Sequence, residues 1–525
     1  MAGKVQTFQL RNKGGSVKDR IKRYNDITKD IVEHTDVCVV GSGAGGAVVA
    51  DILCRSGIDV VMLEEGSYYT KDEYRMFNPV DSFKYLYRDY GATITYGNVN
   101  IIMPLGKAVG GTTVVNSATC FRTPDYVLED WENTYNIMNA SPKEMETYFQ
   151  RVEKRIDVHE VTPDILGKNG LIFKKGADAL HLSNGFLKHN IVGCEGHGRC
   201  TMGCPIDAKK AVHLNFIPSA LKQGLRLYSD TRAEQIILKG KKIVEIKGKI
   251  INPNNGKEFY SISVKPKLLV LSAGTVYTPY LLKKNKINVS SHLGKHLTIH
   301  PAARVLGLFD ELIEGYKGVP QGNYVDEWSK EGIMLEGIFT PPEIGLPIVS
   351  PIGYEGKKLA MLFNYVSAFG VMVSDKYSSG KVLRGIDGMP IILYNFKNRD
   401  KEKMIKGIYE TAKIYFAAGA RKVYLPIHGI ESLESIDDIK KLYAHEIKPN
   451  GIDMMAFHPL GTARMGETSK HSVVNSFGKA HALENLLISD GSIFPSSLGV
   501  NPQITIMAFS MRNAEYIVSN KGKLL

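Results

Sequence analysis

Val37-Cys38-Val39-Val40-Gly41-Ser42-Gly43-Ala44-Gly45-Gly46, followed by Val60-Val61-Met62-Leu63-Glu64-Glu65, decides the fold of this 525-residue chain. It reads as strand, glycine turn, helix and strand. The spacing Gly41-x-Gly43-x-x-Gly46 lets the backbone turn sharply, lets a pyrophosphate approach a helix N-terminus, and lets helix and strand pack closely. Glu64 ends the second strand, where a carboxylate can hold a ribose hydroxyl pair. A glycine pattern of this kind is weak alone. Four apolar residues before it and an acid about 20 residues on supply the context of a dinucleotide site.

The length exceeds what one hydrophobic core usually organises, so two domains are expected. Apolar content of 43% and charged content of 23% are those of an ordinary globular protein. The net charge of +12 could suit nucleic acid, but the basic residues are dispersed as in Lys239-Gly240-Lys241-Lys242, so nucleic-acid binding is not expected. No apolar stretch reaches the roughly 18 residues of a spanning helix. Met1-Ala2-Gly3-Lys4-Val5-Gln6 lacks the apolar core of a secretory signal, and the expected location is cytoplasmic, with membrane association only through a partner. Six cysteines in a chain of this size make no disulfide framework, and their placement points to ligation.

Residues 1–33 read as a polar arm, helical from Ser16 to Val32. Pro104-Leu105-Gly106-Lys107-Ala108-Val109-Gly110-Gly111-Thr112-Thr113-Val114-Val115-Asn116 suits a loop passing tightly against a ligand before a helix. From Arg232 to Ser272 apolar residues alternate with period two, broken at Lys239-Gly240 and at Asn254-Asn255-Gly256, which predicts a meander of strands. The meander leads into Leu268-Leu269-Val270-Leu271-Ser272-Ala273-Gly274, a buried strand with a small-residue turn. Residues 311–449 mix Tyr, Phe, Gly and Pro in an α+β pattern, and Asn485-Leu486-Leu487-Ile488-Ser489-Asp490-Gly491 returns to the nucleotide fold. The fold class is therefore α/β, a Rossmann-like parallel sheet with an inserted β-meander, plus an α+β substrate domain.

Five motifs, in order, resemble the glucose-methanol-choline (GMC) flavoprotein oxidoreductases over Asp36 to Ser519. They are the glycine turn with Glu64, Gly106 to Asn116, Ser272-Ala273-Gly274-Thr275-Val276-Tyr277-Thr278-Pro279, His458-Pro459-Leu460-Gly461-Thr462-Ala463-Arg464-Met465-Gly466, and Asp490 to Gln503. The resemblance implies bound FAD and oxidation of an alcohol to a carbonyl. It divides the chain into an FAD-binding domain over 34–310, a substrate domain over 311–449 and a return to the FAD-binding domain over 450–525.

Within that resemblance His458 matches the active-site histidine, a base for the hydroxyl proton. Asn501 would donate to the alcohol oxygen as it gains negative charge, although Asn501-Pro502 also reads as a helix cap with proline in the first turn. Helix dipole from Pro502 and Gln503 onward would favour the reduced flavin ring. Flavin contacts are implied for Gly41, Ser42, Gly43, Ala44, Gly45, Gly46, Glu64, Gly110, Gly111, Thr112, Asn116, Ala233, Ala273, Gly274, Asp490 and Gly491. Arg464 reads either as the partner of a buried carboxylate or as an active-site residue. His300 reads as a histidine satisfied by local backbone bonds.

Gly193 to Pro205 holds Cys194, Cys200 and Cys204 in a C-x5-C-x3-C spacing that can turn three thiolates to one centre. The loop resembles that of family members carrying a 3Fe-4S cluster, and also one in long-chain alcohol oxidases. Zinc with His197 as a fourth ligand and unliganded thiols are the alternatives. A cluster would favour a dehydrogenase that passes electrons to an external acceptor (a quinone, cytochrome or dye), with an electron-transfer subunit as a possible companion. The competing readings are an oxygen-using oxidase with a structural loop and a hydroxynitrile lyase in which FAD is structural. A nicotinamide enzyme is disfavoured by the single glycine-rich turn. Sugars, polyols and aliphatic or terpenoid alcohols all remain open as substrates.

Overall fold

The computed structural model describes residues 20–346, 353–386 and 388–525. Its first sheet is built on β1 (Ile31–Val40), β2 (Val60–Leu63), β3 (Arg226–Tyr228), β4 (Thr231–Lys239), β5 (Lys242–Ile251) and β6 (Glu258–Leu271). β1 lies between β2 and β6 and is parallel to both, and β3 continues the parallel side beyond β2. β4, β5 and β6 form the antiparallel meander, turning at the two predicted breaks. Val37, Cys38 and Val39 have no exposed surface, as befits a strand covered on both faces. Register brings Val40 level with Leu63 on one side and with Leu271 on the other. The glycine turn, Glu64 and Ser272 therefore leave the sheet at the same edge, the carboxyl ends of parallel strands, where ligands of such sheets bind. Helix α1 (Gly46–Arg55) follows the glycine turn, and α2 (Gly274–Lys284) follows β6.

The helix expected over Ser16–Val32 is not formed by its described part. Ile21–Lys22 is a short strand beside β3, and β1 already begins at Ile31; residues 1–19 of the arm lie outside the described residues. The polar run misled because Glu33 is fully buried inside β1, where Tyr228 donates to it at 2.5 Å and Arg226 pairs with it.

A second, antiparallel sheet centres on β7 (Pro301–Leu308), β8 (Ile333–Gly337) and β9 (Val366–Val373), with β9 between the other two. Asn184–Phe186, Asn323–Val325, Lys422–Tyr424 and Met455–Ala456 extend it, so segments far apart in the chain share it. Helices Pro163–Ala179 and Asn398–Ala418 pack on this sheet, with Phe173 stacked on Phe369 and Tyr415 edge-on to Phe173. Glu336, Gly370 and Arg304 are successive cross-strand partners, and cross-strand partners point to one face. All three border the cavity between the sheets. The chain returns to the first sheet as β10 (Leu486–Ile488), parallel to β6 with Ile488 opposite Leu271. It continues into α3 (Gln503–Ser519), packed on α1, and a last short helix, Lys521–Leu524. Among the described residues no helix is long and apolar enough to cross a membrane.

Candidate active site

One cavity of about 1450 Å³ runs from the carboxyl edge of the first sheet to the inner face of the second. Gly41, Ser42, Gly43, Ala44, Gly45, Glu64, Gly111, Thr112, Asn116, Ala233, Ala273, Gly274, Asp490, Gly491, Pro502 and Gln503 line it. Two expected contacts do not. A Cβ on Gly46 would lie 1.9 Å from the Gly41 carbonyl oxygen, so that glycine serves helix packing. Gly110 has φ +105° and donates to Ser42 Oγ at 3.0 Å, tying the two glycine loops together.

The nucleotide end presents bare backbone. Gly41 has φ +100°, and a Cβ there would meet the Ser272 carbonyl oxygen at 2.2 Å; at Gly45 it would meet that of Ser489 at 1.8 Å. Glu64 is buried and accepts from Ser42 N at 2.9 Å, Ser42 Oγ at 2.7 Å and Gly66 N at 2.8 Å. Burial raises its carboxyl above the usual range against those bonds. Next to it burial would raise Glu65 too, but the charge and hydrogen bonds of Arg88, 2.8 Å away, prevail and hold it low. Arg88 in turn lies 3.8 Å over the Tyr277 ring. A glycine-bare groove at a helix N-terminus, with a buried carboxylate at the second strand end, fits the pyrophosphate and ribose of FAD. The cavity is larger than the ~300–1,000 Å³ of most small-ligand pockets, which leaves room for a substrate beyond the cofactor.

Asn116 and Gln503 reach each other, Asn116 Nδ2 donating to Gln503 Oε1. Gln503 Nε2 continues to Asn190 Oδ1 at 3.3 Å. α3 begins at Gln503 with Pro502 at the cap position, so the Asn501 side chain does not serve as the cap. Its Nδ2 lies 3.3 Å from Glu336 Oε2 and 3.4 Å from His458 Nε2. The structure thus brings the two expected catalytic residues together at the chamber end.

Two further residues complete this cluster. Glu336 sits on β8, 5% exposed, where Gln321 Nε2 donates to Oε2 at 3.0 Å and Oε1 has no protein partner. Burial raises its carboxyl to about 7, against the lowering effect of Asn501 and Gln321. A lone acid in the apolar run Ile333-Met334-Leu335-Glu336 was the sequence signal for it. His300 Nε2 accepts from the backbone N–H groups of Leu498 and Gly499, each at 3.0 Å, so backbone satisfies it, but backbone almost 200 positions away rather than local as expected. Its other nitrogen, Nδ1, lies 3.3 Å from His458 Nδ1. Burial pushes His458 down to about 4, and burial plus the neighbouring His458 pushes His300 well below the usual histidine range.

Arg464 pairs with no carboxylate among the described residues; its Nε donates to the His471 carbonyl at 2.9 Å and its guanidinium lies over Tyr135. It does not line the cavity. The cysteine loop is sewn to the tyrosine-rich segment between Tyr68 and Tyr96 through Arg199 to the Phe77 carbonyl at 2.7 Å and Tyr87 to that of Thr201 at 2.6 Å, and Lys209 holds the Cys200 carbonyl at 2.7 Å. Among the described residues no three His, Cys, Asp or Glu side chains gather as metal ligands. Cys194, Cys200 and Cys204 are free thiols that do not gather into the expected ligand set in this arrangement.

Three comparisons bear on these features. A family description headed GMC oxidoreductase matches residues 83–302 in its N-terminal part and 378–510 in its C-terminal part, and an FAD binding domain description matches residues 34–73. An uncharacterised GMC-type oxidoreductase of Mycobacterium tuberculosis is 34% identical over 489 residues, 93% of this chain and 76% of that protein. A long-chain-alcohol oxidase of Arabidopsis thaliana is 29% identical over 90% of this chain and 66% of its own length. Among solved structures, a formate oxidase superposes with a TM-score of 0.72 at 16% identity, covering 95% of this chain and all of that one.

Proposed function

The chain belongs to the GMC oxidoreductase family and is an FAD-dependent oxidoreductase of CH–OH donors; from that premise we propose that its substrate is an alcohol with an extended apolar body. The observation that carries this reading is the chamber beside His458 and Asn501. Its walls are mainly apolar, with Leu306, Ile338, Ile344, Met372, Met454 and Phe457, although Arg304, Thr340, Glu343 and Asp453 also border the cavity, and Glu336, Gln321 and Asn501 gather at one spot. A sugar needs polar partners all round its ring; a fatty or terpenoid alcohol needs them at one end only. The relative that acts on long-chain alcohols supports the same choice.

The glycine groove, Glu64 and Asp490 would hold FAD, which when bound takes up the electron pair of the substrate C–H bond as hydride. His458, Asn501 and Glu336 bind and orient the hydroxyl, and one of them takes its proton. For the reoxidation step, discharge to dioxygen is favoured over an external acceptor because the relative is named an oxidase.

Anaerobic spectra of the purified holoenzyme with 1-dodecanol, glucose and mandelonitrile test the proposal, with iron and zinc measured on the same sample. Bleaching of the flavin by dodecanol alone is the expected result. Bleaching by glucose would overturn the substrate class. Cyanohydrin cleavage without bleaching would make the protein a lyase. Readmitting air should then restore the flavin bands and release peroxide, while slow recovery that a quinone accelerates would reverse the choice of acceptor.

A further inference from the structure

A small third sheet, outside the two main ones, has a face that the described residues leave uncovered. Ser379–Arg384 and Pro390–Asn395 form its hairpin, with Tyr96–Gly97 on one edge and Lys295–Leu297 on the other. Val382, Ile392 and Tyr394 point inward and are buried. The alternation of strand side chains therefore turns Leu383, Ile391 and Leu393 outward, and register sets Leu393 beside Tyr96 on that side. Tyr96 keeps 52% of its surface exposed, and Ile391 and Leu393 keep 36% each. Between the two hairpin strands Ile386 is fully exposed and Met389 about half so.

Cations frame this face. Lys381 stands opposite Leu393 on one side and Lys295 on the other, and Arg384 ends the same strand. All three are exposed. Burial, and then the charges of Lys295 and Lys381, hold the Lys283 ammonium at the end of α2 below the ordinary lysine range, which places it in the same cluster. Among the described residues none of these four forms an ion pair. The flanking loops carry two acids in sequence, Asp89 and Asp387. An exposed apolar face of this kind marks an interaction surface. A second copy packed on it about a twofold axis would set Lys295 and Lys381 towards their own counterparts, whereas the phosphates and carboxylates of an anionic lipid surface neutralise them.

The same segments reach the cavity. Tyr90 and Met389 line it and are exposed. After Tyr96 the chain turns back, Thr95 N donating to the Ile101 carbonyl at 3.0 Å, and Ile102 then bridges to Met455 beside the apolar chamber. Phe457, two residues on, lines the chamber and is exposed, so the chamber meets solvent there. Resting on the reading of the substrate as an alcohol with an extended apolar body, we propose that this sheet face docks the protein on an anionic phospholipid bilayer, with Ile386 entering between the headgroups, and that the chamber draws its alcohol from the lipid. The charges bring the protein to the surface and the apolar side chains hold it there. A long-chain alcohol partitions into lipid rather than water, so a docked enzyme works where its substrate is concentrated.

The test is sedimentation of the holoenzyme with phosphatidylcholine vesicles, with and without phosphatidylserine. The protein should pellet with the anionic vesicles, bind the neutral ones weakly, and be released by salt. Ile386→Asp should weaken binding roughly tenfold or more, the scale of one buried aliphatic side chain. Lys295→Glu combined with Lys381→Glu should weaken it at least roughly 25-fold, about fivefold for each cation lost. These positions are exposed, so both variants should keep FAD, the native melting temperature and the rate with 1-octanol dissolved in buffer. Oxidation of 1-dodecanol presented in anionic vesicles should fall with the binding. Absence of vesicle binding, or binding that either variant leaves unchanged, would overturn the proposal. So would a dimer in sedimentation velocity that Ile386→Asp dissociates, which would give the face to a second copy. If no alcohol bleaches the flavin, the functional reading falls, and vesicle binding alone still decides the docking.

Discussion

Asp490 Oδ2 accepts from Thr278 Oγ1 at 2.5 Å and from Gly274 N at 2.9 Å, which rivets the returning strand β10 to the helix that follows the meander. Its Oδ1 accepts from Ser492 N at 2.9 Å. Asp490 borders the cavity, yet its hydrogen bonds to protein are structural. Asp490→Ala leaves the Gly274 N–H and the Thr278 hydroxyl without a buried acceptor, and lost bonds to a charged group cost about 1.5–3 kcal/mol each. The variant should unfold at lower urea concentration by roughly 3 kcal/mol and release FAD at the same denaturant midpoint as it unfolds.

The glycines of the turn should separate into two classes. Gly45→Ala forces a methyl onto the Ser489 carbonyl and should yield little folded protein. A Cβ on Gly43 meets only Gly111 Cα, at 3.8 Å. Gly43→Ala should therefore keep a native melting temperature while binding FAD at least tenfold more weakly, if the pyrophosphate lies on that backbone. Fluorescence titration of the apoprotein with FAD measures the difference.

Glu336 makes stability depend on pH in a stated direction. Its folded-state value of about 7 exceeds the ordinary 4.5, so its contribution is fully present below pH 4.5 and is lost as pH rises through 7. Relative to Glu336→Gln, the native protein should lose up to about 3 kcal/mol between those limits. Urea unfolding of both proteins at acidic and alkaline pH reads the difference, and parallel curves would contradict it.

His300→Phe removes both the acceptor of the Leu498 and Gly499 amides and, since those donors occupy Nε2, the Nδ1–H that faces His458 Nδ1 at 3.3 Å and opposes its protonation. His458 should then titrate above its native value of about 4, moving towards the ordinary 6.5. Because its folded value is depressed, the stability tied to neutral His458 is present above pH 6.5 and lost as pH falls through 4. In the variant that loss should end at higher pH and be smaller, because the folded value lies closer to the unfolded one. Titration of the imidazole resonances by NMR gives the shift directly.

Much of the fold was legible because local physics and tertiary structure agree there. The glycine turn, the two breaks of the meander at Lys239-Gly240 and Asn254-Asn255-Gly256, and the buried strand before Ser272 each need no distant partner to be read. Reading failed where a distant residue changes the meaning of a local one. Glu33 looked like part of a solvated arm because Arg226 and Tyr228, which neutralise it, lie almost 200 positions away. Asn501 looked like a helix cap because Glu336 and His458 cannot be seen beside it in the chain. His300 was read as satisfied by local backbone, but the amides on its Nε2 come from Leu498 and Gly499, and its Nδ1 faces His458. The cysteine spacing permits convergence without compelling it, and the hydrogen bonds that fasten the loop to Phe77 and Thr201 come from elsewhere.

The pairing of β10 with β6 also bears on biosynthesis. β1 and β2 emerge early from the ribosome, but the edge they form is completed only when Leu486–Ile488 docks and Asp490 reaches Gly274 and Thr278. Contacts spanning most of the chain form late and slowly. A nascent chain stalled before residue 485 would hold the glycine turn without its clasp, so cofactor capture belongs after translation of the last strand, and the unclosed sheet edge is the surface that chaperones would have to shield until then.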